Sequence, residues 1–137
     1  MKVMVIVKAS ADSEAGRMPS AAELTAMGAY NEQLVAAGIM LAGEGLHATA
    51  RGHRIQFGDG APAVQPGPFG PAEQQIAGFW LWEVRSLDEA IEWARRAPFK
   101  PGDALELRPL ITAEDFGEAF TPELQQQEQR LRNQIDA

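Results

Sequence analysis

Ile76-Ala-Gly-Phe-Trp-Leu-Trp-Glu-Val84 is followed, one residue later, by Ser86-Leu-Asp-Glu-Ala-Ile-Glu-Trp-Ala94. The first stretch is dense in aromatic and branched side chains, which fit a pleated, buried surface better than a helix. Strand alternation puts Phe79 and Leu81 on one face and Trp80 and Trp82 on the other. One face is expected to pack under helices and the other to line a dimer interior. The second stretch opens with Ser86 and Glu89, the S-x-x-E spacing of a capping box. Leu87, Ala90, Ile91 and Ala94 recur at helical spacing behind that cap, and Pro98 ends the helix.

The same strand-then-capped-helix unit occurs earlier in the chain. Residues 2–8 (KVMVIVK) carry no polar alternation and predict a central strand buried on both faces. Ala9 to Pro19 reads as a loop. Ser20 and Glu23 then form a second capping box, with Leu24, Met27, Tyr30 and Leu34 as the buried stripe. Gly38 stands where a left-handed helix terminus belongs. Ile39 to Leu46 predicts a strand ending in a Gly-Glu-Gly turn. Arg54 to Phe57 predicts another, closed by the turn Gly58-Asp59-Gly60. Ala61 to Pro71 holds four of the nine prolines and reads as loop or edge. Asp103 to Leu110 is the last core strand.

The order is β-α-β, β-α-β. Right-handed crossovers on one antiparallel sheet then give an α+β, ferredoxin-like βαββαβ fold over residues 1–111. Two helices cover only one face of such a sheet. A second copy of the chain is the economical cover for the other, which predicts a dimeric α/β barrel and a homodimer. Residues 112–137 form a C-terminal helical extension. There Thr121-Pro122 supplies an N-cap and an N1 proline. Leu124, Leu131 and Ile135 make too thin an apolar stripe to stabilise a lone helix, so docking on a neighbour or a partner subunit is expected.

Composition narrows the function classes. The formal net charge is −7, from 12 basic and 19 acidic residues. Such a surface repels phosphate backbones, so nucleic acid is not an expected partner. Small basic groups at 51–54 and 95–96 lack flanking aromatics that would stack bases. No cysteine is present, which excludes disulfides, thiolate nucleophiles and sulfur-based zinc sites. MKVMVIVKA lacks the length and cleavage region of a signal peptide, and no apolar run reaches membrane-span length. A cytoplasmic location is expected, with no membrane partner.

The chain also resembles the YciI-like (YCII-related) proteins, in the branch carrying a DGPF motif. The resemblance rests on MVIVKA and DSEAG (4–9, 12–16), MGAYNEQL (27–34), LAGEGLH (41–47), GPF (67–69), AGFWLWEV (77–84), SLDEAIEWA (86–94), ELRPL (106–110) and AEDFGEAFTPEL (113–124). It implies a ferredoxin-like fold, a dimeric α/β barrel and a ligand cavity near the barrel interior. The chain departs from the family pattern at several points. The motif's aspartate is replaced in Pro66-Gly67-Pro68-Phe69, and the glutamate and lysine that follow it in the family read Pro71 and Glu73. A His–Asp pair proposed as catalytic in more distant relatives falls at Met27 and Ala97, neither of which moves a proton.

Among the residues that remain, Glu44 and His47 are the candidate catalytic pair: a glutamate three residues from a histidine on a strand-to-loop turn can orient the imidazole for acid–base work. His47 and His53 could share a metal with Glu44 or Asp59, but the spacing matches no strong motif, so no metal and no cofactor is assigned. Lys8 and Arg108 interrupt apolar strands. Either they hold an anionic ligand, with Arg54, or they pair with Glu106, Glu83 or Glu44 as a structural network. Trp80 and Trp82 are candidate ligand-stacking residues as well as core. No phosphate-cradling glycine loop and no G-x-S-x-G elbow occurs. The expected function is binding of a small organic, anionic ligand, with cofactor-free acid–base chemistry of the lyase, isomerase or hydrolase kind. The rival is a non-catalytic ligand-binding, regulatory or dimerisation module with a degenerate site.

Overall fold

The computed structural model describes all of residues 1–137. In chain order the elements are β1 (Lys2–Lys8), α1 (Ala11–Glu14), α2 (Ala21–Ala36), β2 (Met40–Gly45), β3 (His53–Gln56), β4 (Ala63–Pro66), β5 (Ile76–Glu83), α3 (Leu87–Arg95), β6 (Leu105–Pro109), α4 (Ala113–Phe116) and α5 (Pro122–Asp136). The main sheet has the order β2-β5-β1-β6, with every neighbouring pair antiparallel. With α2 and α3 this is the ferredoxin-like βαββαβ arrangement. No helix is long and apolar enough to cross a membrane.

The helices begin where side-chain oxygens satisfy free backbone donors. Ser20 Oγ accepts from the Glu23 N–H, and Ser86 Oγ accepts from the Glu89 N–H. The second half of the box at Ser86 is displaced by one residue: Glu89 accepts from the N–H of Arg85 rather than from that of the cap. Gly38 follows α2 at φ +73°, a backbone conformation that side chains with a Cβ rarely adopt.

One face of the sheet makes the core. Register aligns Val3 with Trp82 and Val5 with Trp80. Tyr30 and Leu34 from α2 and Ala90 from α3 close over them. Val3, Val5, Leu34 and Trp82 are fully buried, each contributing about 1.5–3 kcal/mol by leaving water. Tyr30 and Phe99 both meet Trp80 edge-on, at centroid distances of 5.9 and 6.2 Å. The opposite face carries Met4 and Ile6 from β1 and Phe79 and Leu81 from β5, all half-buried. Neither α4 nor α5 packs extensively on it.

Both edges of the sheet are irregular. The ladder shifts between Met40 and Ala42 on β2. On β6 the Leu110 N–H donates inward to Lys2 O, so alternation turns the position of Pro109 outward, where proline has no N–H to offer.

Several sequence expectations need correction. The segment 9–19 holds a one-turn helix, α1, because Ser10 and Ser13 each accept the other's backbone N–H. The strand expected at Arg54–Phe57 starts one residue earlier and pairs with Ala63–Pro66 in a separate two-stranded sheet, inside the segment read as loop or edge. The last strand starts at Leu105, because a Lys100–Asp103 turn, closed by Lys100 N–H to Asp103 Oδ2 at 3.0 Å, takes up the residues before it.

Candidate functional site

Beyond β2 the chain folds back in a loop, residues 46–54, held from three directions. Leu46 N–H donates to Ala77 O at 2.8 Å, continuing the sheet. Glu14, at the end of α1, accepts from the Thr49 N–H at 2.8 Å and from Thr49 Oγ1 at 3.0 Å. From the other side Gly67 N–H donates to Gly52 O at 2.9 Å. The approach is so close that a Cβ on residue 67 would lie 1.8 Å from Thr49 O. Phe69 packs beside Gly52 and lies under the Arg54 guanidinium, 4.1 Å from ring centroid to Cζ. The Gly-Pro-Phe segment therefore serves as a wall for this loop.

The loop borders an open pocket of about 410 Å³. His47, Arg51, His53 and Arg54 line it, and no carboxylate does. Arg51 Nη1 lies 3.2 Å from Nδ1 and 3.1 Å from Nε2 of His47, centred between the two ring nitrogens. Neither Arg51 nor Arg54 forms a salt bridge. Gln75, only 6% exposed, forms the floor and donates from Nε2 to Pro71 O at 3.4 Å.

A second cleft, of about 340 Å³, opens between α2 and the ends of β2 and β5. Met27, Met40, Phe79 and Trp80 border it, with Asn31 held by the Trp80 indole N–H at 2.9 Å. Glu44 also borders it and forms no salt bridge.

The residues proposed from sequence thus fall in separate places. Glu44 and Trp80 both border the second cleft, but from opposite faces of the sheet: Glu44 pairs with Phe79, and it is Gly43 that faces Trp80. His47 and Arg54 belong to the loop pocket, and no hydrogen bond joins His47 to Glu44; its close neighbour is Arg51. Lys8 lies past a bulge at the end of β1, in a groove with Arg17, Glu23, Lys100 and Asp103. Arg108 is on edge strand β6, with Glu106 at 3.3 Å, and the two stand opposite Met4 and Ile6 on the uncovered sheet face. By the usual strand spacing of ~4.8 Å, β2 and β6 stand about 14 Å apart, too far for Glu44 and Arg108 of one chain to hold the same small ligand. Trp82 is sealed in the core with its indole N–H unpartnered, so it is a packing residue and not a ligand platform. The reason is its alternation with Trp80 onto the helix-covered face. His47 and His53 share the loop pocket, but no third His, Cys, Asp or Glu joins them as a metal ligand.

Arg51, Phe69 and Gln75 complete the pocket that sequence reasoning marked through His47, His53 and Arg54. Their visible trace was the basic group at 51–54 and the Gly-Pro-Phe segment, two signals that no spacing rule connects.

No curated protein matches the chain. Among solved structures, it is similar to the 5-chloro-2-hydroxyhydroquinone dehydrochlorinase (TftG) of Burkholderia phenoliruptrix AC1100, determined in complex with 2,5-dihydroxybenzoquinone. The two are 19% identical, with a TM-score of 0.44 over 84% of this chain and 99% of the other. The family model for the YCII-related domain matches residues 1–114, so the chain belongs to the YCII-related domain family.

Proposed function

We propose that the protein is a homodimeric α/β barrel that binds a small organic ligand in the cleft beside Glu44 and performs cofactor-free acid–base chemistry of the lyase, isomerase or hydrolase kind. The observation that carries this reading is Glu44 itself, an exposed carboxylate without a salt bridge, which register sets beside Phe79 on the uncovered sheet face at the rim of that cleft. A carboxylate on the sheet face that a second copy would cover is positioned to take a proton from a carbon acid or alcohol bound there. The cleft is large enough for a small ligand by ordinary standards of ~300–1,000 Å³. The sheet face with Met4, Ile6, Phe79 and Leu81 at its centre and Glu44, Glu106 and Arg108 beside them supports the dimer, because a second copy offers the same apolar centre. Pro66-Gly67-Pro68-Phe69 supports a place in the DGPF branch, with residues 112–137 as an extension of the domain.

The test is native mass spectrometry of the protein from its own host, to identify a retained small molecule, followed by incubation of that molecule with fresh protein. Conversion by the wild type, with binding but no conversion by Glu44→Gln, is the expected result. Equal conversion by Glu44→Gln removes Glu44 from the mechanism.

The non-catalytic reading has its own observation. Met27 and Ala97, where the resemblance implies a histidine and an aspartate, both pack against the hydrophobic core. A retained molecule that wild-type protein binds and returns unchanged would favour that reading.

A further inference from the structure

We infer that the loop pocket of residues 46–54 is a second binding site, separate from the Glu44 cleft, and that it takes a small organic carboxylate. In a chain of net charge −7, His47, Arg51, His53 and Arg54 converge on one concavity that no carboxylate lines. Both guanidiniums lack a salt-bridge partner, as do Arg96 and Arg130, but only Arg51 and Arg54 share a concavity. The carboxylate that does reach this loop, Glu14, is engaged by Thr49 rather than by either guanidinium, and like charges that share a concavity repel, so an anion bound between them relieves that repulsion.

The two guanidiniums are also braced. Phe69 supports Arg54 from beneath at 4.1 Å, and Arg51 rests against the His47 ring. A braced planar fork loses little freedom on binding and matches a carboxylate with two parallel N–H donors. Leu46, Phe69 and Ile76 give the same pocket an apolar side, which calls for a hydrocarbon body on the anion. The backbone that carries these groups is pinned by Glu14 at Thr49 and by the close approach of Gly67.

The experiment is titration of the full-length protein with benzoate, benzamide and inorganic phosphate, followed by amide NMR shifts. Benzoate should saturate and move the resonances of 46–54, Phe69 and Gln75. Arg51→Gln and Arg54→Gln should each weaken it about tenfold or more, the scale of losing a charged hydrogen bond. Arg54→Lys should recover part of the affinity, and Arg130→Gln on α5 should leave it unchanged. Retention of the wild-type amide spectrum outside the loop shows that the variants are folded. Benzamide binding as tightly as benzoate, or phosphate competing equally, would overturn the ligand class. Unchanged benzoate affinity in both arginine variants would overturn the site. Loss of binding in Glu44→Gln would assign the ligand to the cleft and overturn the separate pocket, while failure of the arginine variants leaves the Glu44 reading untouched.

Discussion

Tyr30 joins α2 to α3 through one hydroxyl, which donates to the carbonyl of Trp93 at 2.6 Å. Burial pushes its pKa from 10.0 up to about 12, against the opposing pull of the Arg96 charge. The folded state therefore favours the neutral phenol. Its contribution to stability is complete below pH 10.0 and is lost as pH rises towards about 12. Tyr30→Phe should cost about 0.5–1.5 kcal/mol in urea unfolding, since it removes one hydrogen bond while the Trp93 carbonyl keeps that from the Arg96 N–H, and should flatten the alkaline decline of the melting temperature. Gly67 is constrained by space instead. Gly67→Ala would put a methyl 1.8 Å from Thr49 O, so the loop must shift, at about 1–3 kcal/mol as for other overpacked sites. Hydrogen exchange should speed up at 49–52 while the amides of β1 and β5 stay protected. The need for glycine at 67 is invisible in the sequence, because the atom that enforces it lies in a turn far back along the chain.

At the scale of elements, the parts buried in the core were the legible ones. Ile76–Glu83 and the helix after it declare themselves through side chains that must be buried and caps that must be satisfied. The β3–β4 hairpin does neither: all its residues are exposed, so no alternation marks it. Helix α3 shows how a cap couples to charge. Hydrogen bonds from the Arg85 side chain and then its backbone N–H lower the Glu89 pKa below 4.5. That contribution is present above pH 4.5 and is lost as pH falls through the lowered value. Acid unfolding followed by circular dichroism should start at higher pH in Arg85→Gln than in the wild type. Helix α5 is a contrasting case, with Leu124, Leu131 and Ile135 exposed and no extensive contact to another element. Ending the chain at Phe120 should change the melting temperature by no more than a few degrees, as for the loss of less than about 1 kcal/mol.

For the whole molecule, the fold followed from the strand–helix order, but the site did not follow from any single segment. The loop pocket draws on α1, on residues 46–54 and on 67–75, and the pairing of His47 with Arg51 rather than Glu44 is decided by that assembly. The proposed dimer is decided at this scale too. Ile6→Glu puts a charge in the middle of the uncovered sheet face, where desolvation in an interface would be costly. Sedimentation should show this variant as a folded monomer at concentrations where the wild type is a dimer; comigration of the two would reject the face as the interface.

Pro109 and the bulge in β2 have a consequence for how chains can accumulate. An unguarded margin invites strand-by-strand lateral growth, the route to fibrils. Here one margin lacks a donor and the other is kinked, so addition of strands is blunted on both flanks. Stacking across the flat of the sheet is the route left open, and in the proposed dimer it would terminate after two copies.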